Sequence, residues 1–518
     1  MTTTASDTSV DLGSPLTAAH LLAAAAPVPV LVGPAVLDRV QQGRAYLRTV
    51  LADDERPVYG AKTGFGALVG FAGRASEADQ CDNTLAHLGA GQGPDLPPDI
   101  ARAALLVRTW SLAQGLSGVS AHVVEGLAAM FATPFVPAIP RYGSVGASGD
   151  LIPLAYAAQA LRGRGHAYLD GVRLGATEAL AAAGLTPLDL DGRDALAIVN
   201  GTSLTTAATS LALSSIRASH RAVADLTCVL VDVLGADPGF LDPRLIAAFG
   251  HSGATSVAAQ MRALLEGTRP SGDRALQEPY SIRCSPQLLG AAEDALRYVD
   301  GVVAADLGGV SDNPLFFPGD DLVAHGGNFF GQPAAFAADV LAMVAASIGN
   351  LAERQLDLLV DPSRNTGLPP MLAAGPGQQH GLQGVQLATT AFVAEIRRNV
   401  LPASTQSLST NLRNQDVVPF GTQAALRAYD LAELLRLLAG SLALGLRQAV
   451  HVGGRRPTAP RCAELLDALV EAIEPIDPDR PLDADVRIAA DVVMDRRPRS
   501  SRAAQRDFGA ARPTAAAP

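Results

Sequence analysis

The run Gly143-Ser144-Val145-Gly146-Ala147-Ser148-Gly149-Asp150 carries the residue types from which a backbone can build its own electrophile. The amide nitrogen of Gly149 can attack the carbonyl carbon of Ala147 and close a five-membered ring. Loss of water from that carbonyl and from the Ser148 side chain leaves an exocyclic methylidene. Gly149 has no Cβ, so its nitrogen approaches closely and its dihedrals are free. Ser148 supplies the leaving hydroxyl, and Ala147 is small. An ordinary Gly/Ser loop has the same composition, so residues elsewhere in the chain must decide.

Several stretches carry complementary chemistry. Tyr59-Gly60, with Thr63-Gly64-Phe65-Gly66, sets a phenol on a Gly-rich loop. A phenol is a weak base at neutral pH, so a site using it must ease loss of its proton. Ala86-His87-Leu88-Gly89 offers a ring nitrogen beside an apolar side chain. Asn200-Gly201-Thr202 closes the apolar run Ala195–Val199. Gln277-Glu278-Pro279-Tyr280-Ser281-Ile282-Arg283-Cys284-Ser285-Pro286-Gln287 holds a guanidinium, the group best suited to a carboxylate through two charge-assisted bonds. Ser311-Asp312-Asn313-Pro314, Gly327-Asn328-Phe329, Asn411 and Asn414-Gln415-Asp416 complete the set.

Together, and in this order, these motifs resemble the aromatic amino acid ammonia-lyase family, which includes histidine, phenylalanine and tyrosine lyases and the related aminomutases. The resemblance runs from about Tyr59 to about Gly421. It implies a 4-methylidene-imidazole-5-one formed from Ala147, Ser148 and Gly149, with no metal and no external cofactor. It implies Tyr59 as the base that takes the β-proton, Tyr280 near the methylidene, and Arg283 on the substrate carboxylate. Asn200 is implied near the substrate amine, and Phe329 against the substrate. Gly66, Leu151, Gln287 and Asn411 are further implied substrate-binding positions.

Two positions speak to specificity. Tyrosine lyases carry His-Leu where this chain has His87-Leu88, whereas phenylalanine enzymes carry Phe-Leu and histidine enzymes Ser-His. A ring nitrogen can satisfy a substrate phenol that Phe would leave unpaired, at a cost of about 1–3 kcal/mol. Histidine-type enzymes have Gln-Glu-Asp where this chain has Asn414-Gln415-Asp416, and neutral Gln415 cannot pair with an imidazolium. The expectation is deamination of L-tyrosine to trans-4-coumarate, a precursor for a pigment or other secondary metabolite. The alternatives are a tyrosine 2,3-aminomutase, a phenylalanine or histidine lyase, and a non-catalytic homologue with a binding role. Departures from the family pattern stand at Phe330, at Asp306, Gly308 and Gly309, and at Pro419-Phe420.

The elements that must position these groups read as helices. Leu341, Val344, Ile348 and Leu351 follow the 3, 4, 3 spacing of one helix face, and similar patterns run through Leu204–Leu234, Val385–Val400 and Thr422–Val450. Alternating strand patterns are scarce, and Pro/Gly connectors punctuate the helices at Asp237-Pro238-Gly239, Pro369-Pro370 and Gly375-Pro376-Gly377. The fold class expected is mainly α, a long core helix bundle with a more irregular N-terminal part carrying the Ala-Ser-Gly loop. The divisions expected are a flexible tail at 1–15, an N-terminal domain at 16–200, a long-helix bundle at 201–495 and a second tail at 496–518.

Composition excludes other classes. Of 518 residues, 48% are hydrophobic and 18% charged, which is globular. A net charge of -11 argues against nucleic acid or an anionic membrane as partner. The four cysteines include no C-x-x-C pair, so neither a zinc site nor a disulfide framework is expected. Met1–Gly13 lacks a basic region before an apolar run, and no uninterrupted apolar stretch reaches the ~18 residues of a membrane span; a cytoplasmic protein is expected. Lys62 is the only lysine and lies in no phosphate-binding pattern, which disfavours a pyridoxal enzyme. The family likeness further implies a homotetramer whose active sites combine loops from three subunits.

Overall fold

The computed structural model describes residues 9–494 apart from 54, 55, 57, 61, 62, 72, 74 and 75. Lys62 and the expected tail at 496–518 therefore lie outside the described residues, as does the start of the first tail. The chain is mainly helical, as its periodicity requires, and its strands are all short.

Contacts divide it into two compact units. The first takes the chain up to Ile216, then Ala295–Ala345 and Arg398–Ala432. The second takes Arg217–Asp294, Ala346–Arg397 and the chain from Glu433 onward. This grouping differs from a single cut near residue 200, because both units collect segments far apart in sequence. Long helices such as Ser203–Leu234 and Gly421–His451 begin in the first unit and end in the second, so no break in helical pattern marks the passage.

The first unit holds the irregular part anticipated. Its strands form small sheets, including the antiparallel pair Gln92–Asp95 with Pro140–Tyr142 and a three-stranded sheet of Val136–Pro137, His166–Leu169 and Val172–Gly175. The N-terminal segment departs from the expected flexible tail. Val10–Asp11 pairs in parallel with Val30–Leu31, and Val10 and Leu12 are buried, so apolar burial anchors it. Three helices frame the site. Glu77–His87 starts at Ser76, whose hydroxyl accepts the Asp79 N–H at 3.1 Å. Gly192–Val199 starts at a capping box of Asp191 and Asp194. Leu151–Leu161 packs with both.

The second unit is built around the later parts of the long helices. Gln332–Val360 contains an 18-residue window apolar enough to cross a membrane by length and composition, but 67% of that window is buried within the protein, as in a core helix. In the same unit His220 is buried, its Nε2 donating to the Leu289 carbonyl at 2.8 Å while Nδ1 has no partner among the described residues. Burial holds its pKa below the ordinary histidine value, against the Leu289 bond and Glu293, which raise it.

An unfolded chain therefore takes up this proton before the folded one does. The contribution of neutral His220 is intact above an unfolded pKa of about 6.5 and is lost as pH falls below it. His220→Gln is expected to shrink the drop in Tm between about pH 7.5 and about pH 5.5, read by calorimetry. An unchanged drop would place the acid sensitivity elsewhere.

Candidate active site

The Ala147–Gly149 loop is tied down by the residue that follows it. Asp150 is fully buried and is the N-cap of Leu151–Leu161, yet its side chain makes no capping bond to that helix. The carboxylate turns to two other helix starts instead. It accepts the Thr205 N–H and the Thr205 hydroxyl, both at 2.9 Å, in the first turn of Ser203–Leu234. It also accepts the Thr422 hydroxyl at 2.6 Å, in the first turn of Gly421–His451, and the Ser144 hydroxyl at 2.9 Å. Burial pushes the Asp150 pKa up, and these donors pull the other way. Its own N–H donates to the Gly201 carbonyl at 2.7 Å, pinning the loop to the Asn200-Gly201 turn.

The loop folds back on itself. Bridges join Gly146 to Gly149 and Ala147 to Gly149. Gly149 has a φ of +69°, and a Cβ there would lie 2.2 Å from the Gly201 oxygen, so only glycine fits. Pro419-Phe420, a departure from the family pattern, packs on this loop: the Phe420 N–H donates to the Val145 carbonyl at 3.1 Å. Gln415 donates from Nε2 to the Ser148 hydroxyl at 3.0 Å, while its Oε1 accepts from Thr410 at 2.6 Å. These residues fit the methylidene-imidazolone inferred from the sequence.

The Asn200 turn rests on a buried ion network. Asn200 Nδ2 donates to Asp312 Oδ1 and to the Asn313 carbonyl, each at 3.0 Å. Asp312 is paired with Arg193 at 2.5 Å and lies 3.8 Å from the Arg108 guanidinium, all three side chains buried. Burial pushes Arg108 down to about 10. Its NH1 donates to the Ser311 carbonyl at 2.6 Å, whose hydroxyl accepts the Thr202 N–H at 2.8 Å. Asn200 thus reaches the site as a positioned group with its Oδ1 as the remaining acceptor.

Tyr59 sits on the loop that ends at Gly66. Its hydroxyl accepts the Gly66 N–H at 2.8 Å, a contact that favours the phenolate. Burial nevertheless pushes the Tyr59 pKa up overall, opposite to what an isolated base requires. The Tyr59 N–H donates to His325 Nε2 at 3.3 Å, a partner that sequence reading did not single out. Gly66 has a φ of +54°, and a Cβ there would lie 1.9 Å from Asn411 Nδ2, so the Tyr59 loop and Asn411 meet closely. Across the Phe65 ring stands His87, whose Nδ1 donates to the Asn83 carbonyl at 2.9 Å. Leu88 is buried at the C-cap of the same helix, and Leu151 and Phe329 are half-buried in this unit.

Tyr280, Arg283 and Gln287 form a group in the second unit. The Arg283 guanidinium lies 4.6 Å from the Tyr280 ring centroid, and Tyr280 is 70% exposed. Arg283 Nε and Gln287 Oε1 are buried without a hydrogen-bond partner among the described residues. Arg274, bound to Glu278 at 2.7 Å and to the Arg364 carbonyl at 2.7 Å, braces the segment that precedes them. The structure therefore gathers Tyr59, Gly66, His87, Ala147–Gly149, Asn200, Asn411 and Gln415 in one unit and sets Tyr280, Arg283 and Gln287 in the other. Thr205 and Thr422 escaped sequence reading because a buried threonine leaves no motif.

The chain has relatives among known proteins over most of its length. The sequence model described as aromatic amino acid lyase matches residues 16–473. A histidine ammonia-lyase of Symbiobacterium thermophilum is 37% identical over 492 residues, covering 93% of this chain and 96% of that protein. A tyrosine ammonia-lyase of Cereibacter sphaeroides is 38% identical over 499 residues, covering 90% and 94%. The crystal structure of a tyrosine aminomutase from Streptomyces globisporus is similar with a TM-score of 0.86 at 31% identity, covering 94% of this chain and 97% of that one.

Thr422→Val removes a hydroxyl that serves both Asp150 and Ser144. It is expected to cost about 1–3 kcal/mol of stability in urea unfolding, with Thr422→Ser recovering most of it. Equal stability of Thr422→Val and wild type would mean that the Asp150 network does not hold this loop.

Proposed function

This chain belongs to the aromatic amino acid lyase family, and on that premise we propose that it deaminates L-tyrosine to trans-4-coumarate and ammonia. The observation that carries the reading is the loop Ala147–Gly149, which folds back on itself and is held by the buried Asp150. The methylidene-imidazolone, when formed there, would supply an electrophile that turns the substrate amine into a better leaving group.

The chain's own residues divide the remaining work. Tyr59 takes the β-proton. The Gly66 N–H at its oxygen stabilises the phenolate, which offsets part of the burial that opposes ionisation. Arg283 holds the carboxylate through its fork of N–H donors. Tyr280, stacked beside that guanidinium, shapes the same end of the substrate. Asn200 presents Oδ1 to the ammonium, and Gln415 orients the Ser148 position through its amide.

Specificity rests on His87 and Gln415. His87 donates Nδ1–H to Asn83, which leaves Nε2 as the ring nitrogen available to a phenol. Gln415 gives no charge to an imidazolium, which favours a benzenoid ring over histidine. Leu88 and Phe329 line the apolar part of the ring site.

Intact mass tests the loop: the purified chain should weigh two water molecules less than its translated composition, and Ser148→Ala should restore the full mass and lose deamination. A panel of tyrosine, phenylalanine and histidine tests the substrate. Coumarate should be the main product, and β-tyrosine by chiral chromatography would reassign the chain to aminomutase chemistry. His87→Phe should shift the kcat/KM ratio from tyrosine toward phenylalanine by about tenfold or more.

A further inference from the structure

We propose that Phe65 is a positioning residue that couples the base to the ring-reading helix, so that proton abstraction and side-chain discrimination are set by one aromatic contact. The inference rests on the roles given above to Tyr59 and His87. Phe65 lies between them. Its ring meets Tyr59 edge-on, with centroids 6.1 Å apart and planes at 73°. It stacks on His87 at 6.0 Å and 17°. Edge-to-face and offset stacks are the two favoured aromatic geometries, and Phe65 makes both.

The backbone is shaped to admit this ring. Gly60 has a φ of +73°, and a Cβ there would lie 2.7 Å from Phe65 Cε1 and 2.5 Å from Leu196 Cδ2. Gly60 is therefore glycine so that Phe65 can seat against the loop and the helix Gly192–Val199. A second tie runs parallel to the rings: Gln80, on the helix that ends in His87, donates from Nε2 to the Gly60 carbonyl at 3.3 Å. The His87 ring is held from its other edge by the bond to Asn83. With Asn83 fixing one edge and Phe65 one face, His87 has a single orientation. With Gly66 holding its oxygen and Phe65 its ring, Tyr59 has one too.

Removing the Phe65 ring frees both partners at once. A purely structural residue would lower stability and slow all substrates alike. A coupling residue changes the ratio between substrates and loses its effect when the base is already gone.

The experiment compares Phe65→Leu, Phe65→Met and Phe65→Tyr, with intact mass and Tm as controls for loop closure and folding. For the ring-deleting variants we expect kcat to fall by about tenfold with a smaller change in KM, and the tyrosine-to-phenylalanine ratio of kcat/KM to move toward unity. Phe65→Tyr should recover both. In a Tyr59→Phe background, Phe65→Leu should add little further loss in kcat. An unchanged substrate ratio, or losses at 59 and 65 that simply multiply, overturns the proposal. Absence of tyrosine and phenylalanine turnover in the wild type would instead sink the tyrosine reading; the 59–65 cycle, run on whichever amino acid is consumed, would still decide the role of Phe65.

Discussion

A single buried carboxylate organises the catalytic loop. Asp150 caps one helix by position but spends its oxygens on the first turns of two others, at Thr205 and Thr422. Helix N-termini carry partial positive charge and unsatisfied N–H groups, so a carboxylate is the natural group to bring them together. Desolvation opposes this and raises the Asp150 pKa; four hydrogen-bond donors offset it. The consequence reaches the preceding residues directly, because the Asp150 N–H is bound to Gly201 and Gly149 is pressed against the same carbonyl.

The second support is also ionic and also buried. Arg108 and Arg193 share Asp312, and Asp312 in turn orients Asn200. Two guanidinium groups against one carboxylate leave an excess of positive charge beneath the Asn200-Gly201 turn. Burial, and after it the Arg193 charge, lowers the His325 pKa and so favours the neutral ring that accepts the Tyr59 N–H. Loop and turn thus reach the site as rigid pieces, as a preorganised site requires. Tyr59 is the exception. Its burial raises the pKa that the proposed role as base needs lowered, and among the described residues the Gly66 N–H works against this. A phenol proposed for that role gains from being held still, which is what the proposed Phe65 contact supplies.

Much of this was legible before any coordinates. Ala147-Ser148-Gly149 announces its chemistry through a leaving hydroxyl beside a residue without Cβ. Helical periodicity predicted a mainly α chain, and the chain is one. Other features carried no signal. Thr205 and Thr422 are ordinary first-turn residues until a carboxylate from another segment reaches them. Phe65 reads as motif filler until its ring is found between two others. The N-terminal segment was expected to be loose on its Thr/Ser content, yet Val10 and Leu12 are buried, because a few apolar side chains suffice to anchor an edge.

By itself, then, the order of residues determined which groups are available: an Ala-Ser-Gly tripeptide, a phenol, a guanidinium, a neutral amide and a ring nitrogen. Their chemistry is a property of residue type and immediate neighbours, and both are written in the chain. The three-dimensional arrangement alone decided which of them meet and that burial works against the Tyr59 phenolate. Those outcomes depend on desolvation and on hydrogen bonds between residues tens to hundreds of positions apart, and no local pattern encodes such distances.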